Sequence, residues 1–260
     1  MVPVYPVRVP SEKKFLTAEW RYLAMLNYEV DDGLLLPFVP NGTELDRWNG
    51  RMFVSLVGFR FLKTRILGLA IPFHTNFDEV NLRFYVRRRQ GSEIRRGVVF
   101  IREIVPHWAI AFVARTFYNE NYVALPMAHE IRPIDGGLAV AYRWRHGRDW
   151  SAIKLEAHGQ PELVNDGSQE QFITEHYWGY AAQPDGGCVE YRVTHPAWRV
   201  WSARLAEFAG NVEGLYGRDM AAVLRNAPAS AFLAEGSSVN VMRGTKIERA
   251  GSPIRPSVQP

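Results

Sequence analysis

From Phe77 to Val86 the chain alternates without a break, with Val80, Leu82, Phe84 and Val86 on one parity and Glu79, Asn81, Arg83 and Tyr85 on the other. Period-two alternation of this length specifies a β-strand, because successive side chains of a strand point to opposite faces of its sheet. The apolar face belongs to a core. The other face presents an acid, an amide, a base and a phenol in register, and it either meets water or lines a polar cavity. A strand of this kind needs a sheet around it, and the flanking sequence supplies one.

Trp20 to Val30 alternates in the same way, although helical spacing also catches Trp20, Leu23, Met25 and Leu26. Asp31 and Asp32 open a helical turn over Gly33 to Phe38, which Val39-Pro40-Asn41-Gly42 stops. Arg51 to Ile66 predicts a long strand with a bulge at Gly58. The alternating strand follows at 78–88, then Gly97 to Val105, where Val98-Val99-Phe100-Ile101 predicts burial on both faces. Pro106 opens a helix running to about Tyr118. Glu130–Ile134 and Leu138–Trp144 form a hairpin across Asp135-Gly136-Gly137, and Ala152–Ala157 continues the meander. Ser168 with Gln171 predicts a capped helical turn. Strands follow at Thr174–Tyr180 and Cys188–Thr194, then a helix around Gly217 to Arg225 and a last strand near Ser238–Met242. About nine strands at hairpin spacing, with two or three short helices and no βαβ rhythm, describe a mainly β (α+β) chain with one antiparallel sheet system. Closing that sheet into a barrel removes its edges and can enclose a small ligand cavity. The expected organisation is an extended segment at 1–14, a single domain at 15–243 and a disordered tail at 244–260 containing three prolines.

Composition narrows the function classes. With 47% hydrophobic and 22% charged residues in 260, wholesale disorder is excluded. Cys188 is the sole cysteine, so no internal disulfide forms and a reducing, cytoplasmic location is expected. The proline-rich start, Met1 to Arg8, lacks the apolar run of a signal peptide, and no apolar window long enough for a membrane span exists. Lysine occurs only at 13, 14, 63, 154 and 246, so 26 of the 31 basic residues are arginine. Arg87-Arg88-Arg89 and Arg95-Arg96 flank a hairpin tip and read as a solvated face. They lack the interleaved aromatic platform that single-stranded nucleic acid requires. The seven histidines are scattered singly, without metal-ligand spacing, and neither a phosphate loop, a dinucleotide fingerprint nor a nucleophile elbow is present. No metal, cofactor or nucleic-acid partner is therefore expected. His176 shares a predicted strand face with Thr174, Trp178 and Tyr180, which reads first as a core histidine bonded to backbone. Tyr118, Glu120 and Tyr122 follow the predicted helix and either rim a cavity or contact water.

Over most of residues 15–242 the chain resembles the YqjF-like family of uncharacterised bacterial proteins. The likeness is carried by Leu26-Asn27-Tyr28-Glu29-Val30, Gly42-Thr43-Glu44-Leu45-Asp46, Ser55-Leu56-Val57-Gly58-Phe59 and Glu79 through Val86. Gly97 through Pro106, Tyr118-Asn119-Glu120-Asn121-Tyr122, Glu175 through Tyr180 and Glu235-Gly236-Ser237 extend it. That family is similar in fold to acetoacetate decarboxylase, which implies a cone-like antiparallel β-barrel with an internal cavity. The decarboxylase uses a cavity lysine as Schiff-base nucleophile, its pKa depressed by a neighbouring lysine. The matching segment here reads Ala124-Leu125-Pro126-Met127-Ala128, with Met127 and Ala128 where the lysine pair belongs. The resemblance thus implies the fold without the Schiff base, and it matches the decarboxylase's cavity glutamate to Glu79.

Two classes remain. In the first, the barrel holds a small anionic organic ligand, as a binding protein or a non-Schiff-base enzyme, with Glu79, Asn81, Arg83, Tyr118, Glu120 and His176 as ligand-binding candidates. Arg83 clamps the ligand's carboxylate and holds Glu79 ionised, and Glu79 serves as base or acceptor. In the second, the chain is a structural or interaction protein with a filled interior. A cavity above about 300 Å³ with Glu79 and Arg83 converging in it favours the first class.

Overall fold

The structure is a computed structural model and describes residues 13–107 and 121–247. Its strands are β1 (Lys14–Val30), β2 (Glu44–Leu45), β3 (Met52–Ile66), β4 (Phe77–Gln90), β5 (Glu93–Val105), β6 (Tyr122–Ala124), β7 (Met127–Ile134) and β8 (Gly137–His146). They continue as β9 (Asp149–His158), β10 (Glu162–Leu163), β11 (Trp178–Ala182), β12 (Cys188–Thr194), β13 (Arg199–Ala209), β14 (Ser230–Met242) and β15 (Thr245–Ile247). Short helices intervene at α1 (Asp32–Leu35), α2 (Gln169–Thr174), α3 (Glu213–Tyr216) and α4 (Arg218–Leu224).

The alternating run is the heart of β4, which lies between β3 and β5. Hydrogen-bonded neighbours run β12-β11-β5-β4-β3-β1-β14, and β12 also pairs β14 through Val193↔Val241 and Thr194↔Asn240. Pairing is antiparallel except where β5 meets β6 and β11. β13 leaves this sheet: Val200 to Ser202 pair β14, while Ala203 to Ala209 pair β9 and lead into a second layer, β9-β8-β7.

The parity of β4 decides which core each side chain joins. Val80, Leu82, Phe84 and Val86 pack with Leu26 and Val54, the second-layer residues Tyr142, Trp144, Ile153 and Leu155, and Met220 of α4. Phe77 and Tyr85 join a separate cluster with Leu23, Met25, Phe53, Val57, Phe59 and Phe61 on the other side of the sheet. Both faces of β4 are therefore buried, the polar one included.

One local device joins the two layers. Gly58 sits where an added Cβ would lie 2.6 Å from Cδ2 of Tyr142, so only glycine admits that ring. The bulge expected at Gly58 is not there: Gly58 pairs Ala24 and Val80, and the extra residue lies in β1 opposite it. Register shifts between Arg21 and Ala24 of β1, where Tyr22 has φ of 56°. The Tyr22 carbonyl accepts a 2.8 Å hydrogen bond from the Tyr142 hydroxyl.

Other elements depart from the sequence reading for physical reasons. The expected strand at 174–180 is two elements, because α2, capped at Ser168 Oγ by the Gln171 amide, runs on to Thr174. His176 therefore sits in the connector before β11 rather than on a strand face. β13 escapes periodicity because a register shift between Ala203 and Leu205 moves the inward parity from Trp201 and Ala203 to Ala206 and Phe208. β15 pairs β12 inside the segment expected to be disordered from 244. The helix expected from Pro106 to Tyr118 falls almost entirely outside the described residues.

Candidate functional site

The buried polar face of β4 lines a cavity of about 130 Å³. Most of its wall is apolar or aromatic, with Trp20, Phe59, Phe61, Phe100 and Trp198 among the large side chains. Its polar lining includes Glu79, Asn81, Arg83, Glu103, Tyr122 and His176, with Thr174, Tyr191 and His195 beside them. Neighbouring strands bring these groups together by register: Asn81 faces Glu103 across the β4–β5 ladder, and Glu103 faces Tyr122 across β5–β6. A bulge in β5 between Arg102 and Phe100 then resets the register at Arg83. Tyr85 is drawn off instead into a bond with Ser55 Oγ, 2.6 Å away.

Glu79 Oε1 accepts from Asn81 Nδ2 at 2.9 Å, and Oε2 accepts from the Tyr122 hydroxyl at 3.2 Å. Burial pushes the Glu79 carboxyl up, and hydrogen bonds from Asn81 and Tyr122 together with the Arg83 charge only partly offset it, leaving it at about 7. Arg83 therefore does not hold Glu79 firmly ionised, contrary to the sequence expectation. Its Nη2 donates instead to the Ile173 carbonyl at the end of α2, 3.2 Å away. Burial, reinforced by the negative charges of Glu103 and Glu79, keeps the Tyr122 phenol well above its usual range and hence protonated.

His176 is buried, with Nε2 at 3.1 Å from Asp46 Oδ2 and its ring against Tyr85 and Phe172. Its partner is thus a carboxylate rather than backbone. Arg96 Nε donates to the same Asp46 oxygen at 2.6 Å. Burial opposes ionisation of Asp46, but the bonds from His176 and Arg96 win and hold it at about 2. Burial lowers the pKa of His176 more than Asp46 raises it, which favours the neutral imidazole. A carboxyl poised near neutrality and a neutral imidazole oriented by a carboxylate are groups that can exchange protons with a bound molecule.

A family model described as an uncharacterized conserved protein, DUF2071, matches residues 17–238. The chain belongs to this family. Uncharacterized protein YqjF of Bacillus subtilis (strain 168) is 27% identical over 175 residues, covering 66% of this chain and 69% of its own. Acetoacetate decarboxylase of Legionella pneumophila superposes with a TM-score of 0.65 at 11% identity, over 96% of this chain and 93% of its own. An acetoacetate decarboxylase-like enzyme of Sphingomonas wittichii RW1 gives 0.62 at 11% identity, over 95% and 100%. The enduracididine biosynthesis enzyme MppR complexed with pyruvate gives 0.62 at 14%, over 95% and 96%. The fold of this DUF2071 chain is thus acetoacetate-decarboxylase-like and mostly β; at such identities the likeness speaks to fold alone.

None of the five lysines of the DUF2071 chain lines the cavity. Lys63 is 76% exposed and ion-paired with Glu19, while Lys154 and Lys246 are exposed and pair with Glu207 and Asp185. Lys13 and Lys14 are exposed as well. Met127 packs in the core between the layers, and Ala128 is exposed, so neither lines the cavity.

Of the candidates read from sequence, Glu79, Asn81, Arg83 and His176 meet at the cavity, while Tyr118 and Glu120 lie outside the described residues. Glu103 is reachable from sequence only through the β4–β5 register, and Asp46 only through the fold that carries it to His176. The arginine cluster is not simply a solvated face: Arg88 and Arg95 converge on the buried Glu190, which also accepts from the Tyr180 hydroxyl. Among the described residues no cluster of His, Cys, Asp and Glu could hold a metal ion, and no helix is long and apolar enough to cross a membrane.

Proposed function

We propose that this DUF2071 protein is a cytoplasmic small-molecule barrel that binds a small carboxylic acid and exchanges a proton with it at Glu79, with no Schiff base. The return of β12 to β14 supports reading the sheet as a closed barrel. The observation that carries the functional reading is Glu79 itself, buried beside Arg83 in an apolar cavity and poised at about 7. A scaffold gains nothing from such a set, because apolar residues of similar volume fill an interior more cheaply than buried ionisable ones. A protein of the same fold has been crystallised with pyruvate, so a barrel of this kind accommodates a small acid.

The size of the cavity favours one competing reading. About 130 Å³ falls below the usual floor of about 300 Å³ for ligand pockets, which suits a scaffold with a nearly filled interior. A thermal-shift panel of short carboxylic acids separates the two. Under the proposal, at least one acid raises the melting temperature and Arg83→Met abolishes the shift while the variant stays folded. An absence of any shift across the panel favours the scaffold.

A further inference from the structure

The hydrogen-bonding capacity of the cavity wall says more about the occupant than its volume does. Polar atoms of lining residues that have no hydrogen-bond partner among the described residues include Trp20 Nε1, Asn81 Oδ1, Arg83 Nε and His176 Nδ1. Asn81, Arg83 and His176 are 2%, 8% and 7% exposed, so water access is poor where buried polar atoms are normally satisfied. Chemistry at the other end of each side chain fixes what each atom offers. Asn81 gives its amide nitrogen to Glu79, which leaves its carbonyl oxygen as an acceptor. The Asp46 carboxylate can only accept, so the imidazole carries its proton on Nε2 and Nδ1 is a lone pair. Asp46, which holds Nε2, and Tyr85 and Phe172, which pack against the ring, do not line the cavity. Arg83 Nε and Trp20 Nε1 can only donate. The wall therefore offers donors and acceptors together.

On the reading that the cavity takes a small carboxylic acid, we propose that the acid is a hydroxy acid, its carboxylate accepting from Arg83 and its hydroxyl donating to His176 Nδ1 or Asn81 Oδ1. A keto acid satisfies the donors but brings no proton for either acceptor. Its binding leaves both buried and unmet, a mismatch that sites built around a ligand hydroxyl reject strongly. An amino acid would meet the acceptors with its ammonium. It would also bring a positive charge beside Arg83, which a neutral hydroxyl does not, but the Glu103 carboxylate in the same wall favours that charge, so alanine is the control that separates the two.

The test is calorimetric titration of the full chain with matched acids: lactate, pyruvate and alanine as one set, 3-hydroxybutyrate and acetoacetate as another. In at least one set the hydroxy acid should bind about tenfold or more tighter than its keto counterpart, and tighter than alanine. His176→Phe should shrink that preference to below about threefold, as expected when one of the two acceptors is gone. Keto acids binding as tightly as hydroxy acids in both sets, or alanine binding tightest, overturns the hydroxy-acid assignment while leaving the carboxylic-acid site standing. Binding of none of the five removes both. The wild-type comparison decides whether or not the variant folds.

Discussion

Replacing Glu79 with glutamine isolates the proton that the fold forces onto this carboxyl. Glu79 moves from an ordinary 4.5 to about 7 on folding, chiefly through burial. Below the unfolded value the group is protonated in both states and costs nothing. Between the two values the unfolded chain releases the proton while the folded chain keeps it, so the stability of the wild type falls as pH rises. Above about 7 both states are ionised and the loss is complete. The rise from 4.5 to about 7 corresponds to a loss of about 3 kcal/mol. Glutamine mimics the protonated acid and does not titrate. It keeps one acceptor oxygen for Asn81 or Tyr122, so it brings a constant offset of about 1 kcal/mol rather than a slope. Urea unfolding of both proteins from about pH 4 to about pH 9 should therefore show Glu79→Gln gaining about 3 kcal/mol on the wild type between pH 4.5 and 7 and nothing further above it. Titration of Asp46 and His176 is common to both proteins and cancels in the difference. A pH-independent difference, or a gain below about 1 kcal/mol, would refute burial as the dominant influence on Glu79.

The remaining predictions concern the ligand, the absent lysine and the interlayer joint. Because a bound carboxylate is repelled by ionised Glu79, affinity for the acid should fall about tenfold per pH unit above 7, with proton uptake visible in buffers of different ionisation enthalpy. A flat affinity profile across that range would place the anion away from Glu79. Borohydride trapping with acetoacetate should add no mass to the chain, since every lysine lies outside the cavity; a stable lysine adduct would overturn that. Gly58→Ala drives a methyl group into Tyr142 and should cost about 1–3 kcal/mol in chemical unfolding, an effect that Tyr142→Ala in the same chain should partly relieve. Additive losses in the two variants would show that the contact with Tyr142 is not the cause.

What was legible in the sequence follows the range of the forces involved. Alternation is local, so β1, β3, β4 and the hairpin at Asp135-Gly136 could be found from residues alone. β13 could not, because its bulge reverses parity midway and the hydrophobic pattern cancels over the length of the strand. The segment at 174–180 misleads for a related reason. Thr174, Trp178 and Tyr180 do alternate with His176, but the cap at Ser168 starts a helix that consumes the first of them. Local pattern and local cap compete there, and the cap acts first along the chain.

The site shows where one-dimensional reading gives out. That Glu79, Asn81 and Arg83 share a face is a property of one strand; whether that face is wet depends on what the sheet wraps around. Even with the cavity granted, the sequence cannot rank burial against the charge of Arg83, because both depend on distances set by other strands. The balance tips toward burial because the Arg83 guanidinium is engaged by the Ile173 carbonyl at the end of α2, while Glu79 is left to Asn81 and Tyr122. The same geometry makes the site a chemical one. An arginine locked onto Glu79 would have given an inert ion pair. Held apart, the two present a titrating carboxyl and a donor that an acid can use. His176 follows the same logic one shell over. Asp46 takes one nitrogen of the ring, and the other is left for whatever the cavity admits.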